Sequence, residues 1–232
     1  VGAGQVTVSS SDGNVSLQSG SRMRLDGYNG EAGGELLVRA GATADDLRIA
    51  ELGASVEGAV RTILAPVLRS GPVEILDGVV TESLRSLLDA FMAVAPANIR
   101  SRLGLGPDTL IRPALEVVAD NDLTLAEDWD LAAWRWEDQP GYLTLRAPGN
   151  LSLQGNLSDG FSQTGIVLGQ LAGDSWSFEL AAGADVASVL NGGVRGRLLD
   201  APETGSLDIA DGLFIRTGTG DITITAGRDV QI

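Results

Sequence analysis

Three groups of residues in this 232-residue chain have the types and spacing that chemistry uses. The first is Asp128-Trp129-Asp130-Leu131-Ala132-Ala133-Trp134-Arg135-Trp136, which holds three of the four tryptophans. If extended, the run puts Trp134 and Trp136 on one face, and indoles beside carboxylates stack on sugar rings. Trp129, Trp134 and Trp136 are therefore candidate surface-contact residues. The better reading is that these rings seal the junction between the helical insertion and the solenoid, where a large apolar area is needed. The second group is acidic: Asp45-Asp46, Asp120 with Asp122, and Asp128 with Asp130. Paired carboxylates serve glycoside chemistry or bind calcium. No EF-hand loop and no Gly-Gly-x-Gly-x-Asp nonapeptide is present, and 31 acids make such pairs common by chance, so solvated turn carboxylates are the better reading. The third group is Asn191-Gly192-Gly193-Val194-Arg195-Gly196 and Gly218-Thr219-Gly220. Neither is a Gly-x-Gly-x-x-Gly run leading a helix, so these read as chain corners and not as phosphate cradles.

Composition removes further chemistries. All 16 basic residues are Arg, and Lys, His and Cys are absent. That excludes a phosphate-loop lysine, a Schiff base, a thiolate nucleophile, a Ser-His-Asp triad, a zinc site of the usual ligands and a disulfide framework. No catalytic, cofactor-binding or metal-ligating residue is assigned, no cofactor is expected, and the chain reads as a non-enzyme. A net charge of −15 repels a phosphate backbone, so no nucleic-acid partner is expected. No apolar run reaches the ~18 residues of a membrane span. The start, Val1-Gly2-Ala3-Gly4, carries neither the basic nor the apolar region of a signal peptide, and the chain reads as an acidic piece of something longer.

The elements that must position these residues are announced by glycine, 31 residues of 232 and roughly twice the usual ~7%. A unit of Gly, polar, aliphatic, polar, aliphatic recurs: Gly4-Gln5-Val6-Thr7-Val8, Gly13-Asn14-Val15-Ser16-Leu17, Gly141-Tyr142-Leu143-Thr144-Leu145, Gly149-Asn150-Leu151-Ser152-Leu153, Gly205-Ser206-Leu207-Asp208-Ile209 and Gly220-Asp221-Ile222-Thr223-Ile224. The alternation puts aliphatics on one face of a strand and Thr, Ser or Asp on the other. Starts at 141, 149 and 155, and at 205, 212, 220 and 227, are closer than the ~8–12 residues between turns of a hairpin sandwich. Short strands with single-glycine corners fit the rungs of a parallel β-solenoid better than a Gly-rich sandwich. At ~20–25 residues per coil, roughly eight to ten coils are expected.

One stretch breaks the pattern. Leu84, Leu87, Leu88, Phe91 and Met92 fall at helical spacing behind a capping Thr81, and Pro96 opens a second helix through Ile99 and Leu103 that stops at Gly104 and Gly106. The expected organisation is β-coils over 1–74, a helical insertion over 75–107 and β-coils over 108–232, in one continuous solenoid. Insertions of this kind map to one face of a solenoid, often its binding face.

Several segments resemble the filamentous haemagglutinin family, the long secreted exoproteins of bacterial two-partner secretion. They are Leu123-Thr124-Leu125 with Asp128-Trp129-Asp130-Leu131; Pro140-Gly141-Tyr142-Leu143-Thr144-Leu145-Arg146-Ala147-Pro148-Gly149-Asn150-Leu151 running to Ser158-Asp159-Gly160-Phe161; and Ile215-Arg216-Thr217-Gly218-Thr219-Gly220-Asp221-Ile222 through Ala226-Gly227-Arg228-Asp229-Val230. Phe178-Glu179-Leu180-Ala181-Ala182-Gly183-Ala184-Asp185 and Ile99-Arg100-Ser101-Arg102-Leu103 are similar to segments between those blocks, so the resemblance covers most of residues 36–232. The amino-terminal secretion domain of such proteins, with its Asn-Pro motifs, is not visible in this sequence. The resemblance implies an all-β, right-handed parallel β-helix, secreted or at the bacterial cell surface, acting as a structural or adhesive segment. It further implies three kinds of partner: an outer-membrane transporter engaged through a region outside this chain, a surface receptor or glycan, and neighbouring coils of the same parent protein. The alternative is a carbohydrate-active β-helix enzyme, a polysaccharide lyase or hydrolase.

Overall fold

The glycine-bounded units become strands, and each strand pairs with a later copy of itself. The computed structural model describes residues 4–10, 13–42, 47–70, 78–80, 82–94, 96–164, 167–186 and 205–232. The protein is mostly β, and among the described residues its strands pair in parallel apart from one hairpin. A long ladder runs, neighbour to neighbour, through Gln5–Ser10, Glu35–Ala42, Arg61–Ser70, Ala114–Val118, Tyr142–Ala147, Ser177–Ala182 and Ile222–Ala226, with Thr109–Ile111 also paired to Arg61–Ser70. A second ladder joins Leu123–Leu125, Leu151–Leu153, Leu207–Ile209 and Val230–Gln231, and a third joins Trp129–Asp130, Leu157–Ser158 and Ile215–Arg216. Earlier in the chain, Val15–Leu17 pairs with Ile49–Leu52 and Arg22–Arg24 with Ser55–Glu57 in the same parallel sense.

The units starting at Gly141, Gly149 and Gly155 show how sequence sets this order. They give Tyr142–Ala147, Leu151–Leu153 and Leu157–Ser158, one strand in each ladder. The return interval is longer than the expected ~20–25 residues, and the long ladder holds seven strand positions in place of the eight to ten coils expected. Gln5 lies opposite Glu35, 30 positions on, and Asn150 bonds to Asp122, 28 positions back. Three strands and three corners per return account for the difference.

Register brings like onto like. Leu123, Leu151 and Leu207 stack in one row and Leu125, Leu153 and Ile209 in the next, all buried. In the long ladder, Leu115, Leu143 and Phe178 form one inward row and Val117, Leu145 and Leu180 another. Each buried aliphatic contributes about 1.5–3 kcal/mol relative to exposure.

Helices α1 (Glu82–Met92) and α2 (Pro96–Leu103) lie in sequence between the early two-stranded pairs and the first strands of the second and third ladders. There the second ladder continues only as a bridge from Val79 to Thr124. Leu84, Leu88 and Phe91 on α1 and Ile99 on α2 join the main core. Arg102 on α2 donates to the carbonyls of Leu47 and Ile49, while Arg85 on α1 donates to the carbonyl of Asp128 at 3.2 Å. The insertion therefore helps close the core by spanning the break. Gly104, at φ 61°, ends α2 where a Cβ would be strained. Thr81, the expected cap, lies outside the described residues.

One hairpin departs from the parallel rule: Phe161–Thr164 pairs antiparallel with Val167–Gln170. It follows Gly160, whose φ of 77° turns the chain out of the third ladder.

Candidate functional site

Trp129 and Trp136 are 4% and 2% exposed and have no ring surface to offer a partner. Trp136 lies 5.0 Å from Phe91 of α1, ring centre to ring centre, and its Nε1 donates to the carbonyl of Met92 at 3.0 Å. Trp129 meets the half-buried Trp134 edge-on at 5.8 Å. Burial corrects the surface-contact reading for Trp129 and Trp136, whose indoles seal the junction between helices and β-structure; Trp134 is half-buried. Alternation along an extended run fails because Ala132 and Ala133 form a turn closed by the Trp134 N–H on the Leu131 carbonyl, which the Arg135 side chain also reaches.

The acidic pairs serve the corners. Asp122 Oδ1 accepts the Asn150 N–H at 2.7 Å, and the Asn150 side-chain oxygen accepts the N–H groups of Gly205 and Ser206 at 3.0 Å. Asp128 Oδ1 accepts both the backbone N–H and the Nδ2 of Asn156, whose own oxygen accepts the Phe214 N–H. Those two bonds from Asn156, backbone first, hold the Asp128 carboxyl below the usual carboxylate range. Asp130 accepts the Ala132 N–H. Two stacks of Asp and Asn thus bind successive strands together at their corners. Gly155 is needed there, because a Cβ would stand 2.1 Å from the Glu127 carbonyl carbon. Gly220 is a corner of the same kind, packed against the Trp176 carbonyl. Asp45-Asp46 and residues 191–196 lie outside the described residues.

Among the described residues, two ion pairs hold a buried carboxylate. Arg135 binds both carboxylate oxygens of Asp159 at 2.8 Å, and Asp159 also accepts the Trp176 N–H at 2.6 Å. Arg146 binds Glu116 at 2.7 Å and donates to the carbonyl of Asp185. The first pair ties two loops together, and the second joins the neighbouring strands Ala114–Val118 and Tyr142–Ala147.

The arrangement open to a ligand is the outer face of the long ladder. The sheet curls into a half-barrel with this face on the inside. Strands from its two ends, Gln5–Ser10 and Ile222–Ala226, line one cavity of about 360 Å³, though six strand spacings of a flat sheet would separate them by about 29 Å. Leu37, Ile63, Ala65, Val67 and Ala114 form a small apolar cluster on the same face, with Tyr142 packed against it. Arg39 places its guanidinium 5.8 Å from the Tyr142 ring centre, across two intervening strands. Glu179 stands on the far wall beside Thr144 and Thr223. Burial raises the Glu179 carboxyl, an effect opposed by the charges of Arg39 and Arg146 and by a hydrogen bond to Thr144. Burial likewise raises the Tyr142 hydroxyl, against the pull of Arg112.

Sequence reasoning missed this site. Its signal was the polar half of the repeat, Thr144 in one unit and Asp221 and Thr223 in another, but the curl that gathers them comes from pairing between distant strands. No metal-binding group of three or more acids occurs among the described residues. No helix among the described residues is long and apolar enough to cross a membrane. No known family model matches the sequence, and no curated protein or solved structure is significantly similar to it.

Proposed function

We propose that this chain is a segment of a right-handed parallel β-helix in a large secreted or surface-exposed bacterial protein, with a structural and adhesive role. The observation that supports this most is the in-register parallel pairing of three sets of strands, tied at their corners by Asp122–Asn150 and Asp128–Asn156. Parallel strands joined by crossovers are right-handed in about 98% of cases, which favours that hand. The acidic pairs that the sequence offers for glycoside chemistry act instead as corner acceptors at Asp122, Asp128 and Asp130. Export would use an outer-membrane transporter recognised by a region outside this chain, and contact would be with a receptor or glycan on another surface.

Antibody raised against this chain is expected to label intact source cells or their culture medium. Labelling only after permeabilisation overturns the reading. Release of sugar fragments from acidic or neutral polysaccharides would turn the assignment toward a carbohydrate-active enzyme.

A further inference from the structure

We propose that the concave outer face of the long ladder binds a short, uncharged oligosaccharide. This rests on the contact reading above and names its ligand. The cavity of about 360 Å³ lies at the low end of the ~300–1,000 Å³ typical of small-ligand clefts. Its walls offer what a sugar ring demands. A vicinal diol both donates and accepts, so it needs a fixed donor and a fixed acceptor within one site. Arg39 supplies the first and Glu179 the second, and among the described residues no ion pair joins them. The hydroxyls of Thr7, Thr223 and Thr225 extend both roles along the groove. Leu37 and the Tyr142 ring give an apolar surface for the C–H face of a sugar.

Charge selects the class. Among the described residues Arg39 is the single cation lining the cavity, against Glu179 and Asp221, and the whole chain carries −15. Sulfated or phosphorylated chains are therefore repelled, and an uncharged glycan is the occupant these groups fit.

The test titrates the full 232-residue chain with neutral tetrasaccharides of glucan, mannan and galactan type, and with dextran sulfate as the polyanion, read by calorimetry and saturation-transfer NMR. At least one neutral tetrasaccharide is expected to bind, and dextran sulfate is not. Glu179→Gln should weaken binding about tenfold, the effect of losing one charged hydrogen-bond partner. Thr223→Arg sits on the exposed rim, away from the core, and should abolish binding while leaving the melting temperature unchanged. No binding by any neutral tetrasaccharide at millimolar concentration, full binding by Thr223→Arg, or binding of dextran sulfate instead would each overturn the proposal. If surface labelling holds while the titrations fail, only the groove assignment falls. Cleavage of a bound tetrasaccharide would instead overturn the non-enzymatic reading and keep the groove.

Discussion

Replacing Asp159 by Asn tests whether a buried charge pair fastens the tryptophan-bearing turn to the β-structure. Asp159 is fully buried, its two oxygens take two Arg135 contacts at 2.8 Å, and one of them also takes the Trp176 N–H at 2.6 Å. Asn keeps the shape, removes the charge and points an amide N–H₂ at a donor. Breaking a buried pair on one side costs about 3–5 kcal/mol because the surviving charge stays buried. The Arg135 side chain is 19% exposed, so water reaches it and the low end, about 3 kcal/mol, applies. For a chain of this length that lowers Tm by roughly 6–12 °C. Urea and thermal unfolding followed by circular dichroism measure the loss. Arg135→Met with Asp159→Leu should recover much of it, since an apolar pair of similar volume leaves no orphan charge. A loss below about 1 kcal/mol for Asp159→Asn, or a double variant worse than the single, would refute the electrostatic account.

Other perturbations read the stacking, the corners, the groove and the ladder edges. Leu151→Ala removes a fully buried side chain between Leu123 and Leu207 and should cost about 2–5 kcal/mol in urea unfolding; a cost below ~1 would mean the rows are not packed. Gly155→Ala places a methyl against the Glu127 backbone and should cost about 1–3 kcal/mol, whereas Gly106→Ala, with open space around its Cβ, should be neutral; equal effects would remove the corner argument. Burial raises the Glu179 carboxyl, so the folded state keeps a proton that the unfolded state has lost, and stability falls as pH rises from the ordinary glutamate range through the raised value. Glu179→Gln should erase that slope, being more stable than the parent at neutral pH and equal to it below about pH 4; identical urea-midpoint profiles would show that Glu179 is not desolvated. Among the described residues Gln5–Ser10 and Ile222–Ala226 each pair on one side only, so this polypeptide should self-associate as salt screens its charge; a monomer at every ionic strength in sedimentation would count against open edges.

What could be read from the sequence is what glycine and period-two alternation fix locally. Gly205, Gly220 and Gly227 precede Leu207–Ile209, Ile222–Ala226 and Val230–Gln231 because a corner residue and the strand after it are neighbours in the chain. The leucine spacing over 84–92 gives α1 for the same reason. The sealing role of the tryptophans could be read from their size beside the helical insertion, but the contacts of Trp136 with Phe91 and Met92 could not, since those residues lie more than 40 positions earlier in the chain. The hairpin at Phe161–Thr164 resisted it too, because its two strands carry the same alternation as a parallel rung. The groove was hidden for a further reason: Arg39 and Tyr142 belong to different returns of the chain, and only the curl of the sheet brings them together.

That curl ties the core to the candidate site. Alternation alone would leave the outer face of the long ladder flat, polar and solvated. The cluster of Leu37, Ile63, Ala65, Val67 and Ala114 breaks the alternation by placing apolar side chains on that face. Bending the sheet around them removes their surface from water, at about 25 cal/mol per Å². Polar partners at the edges of the cluster, Arg39 and Tyr142 above all, are carried inward with it and face Glu179 and Thr223 across the cavity. A change that makes the cluster polar, such as Ile63→Thr, should therefore open the groove without touching the inward rows of Leu115, Leu143 and Phe178. The same hydrophobic force that stacks the interior then also shapes the surface from which a ligand would be held.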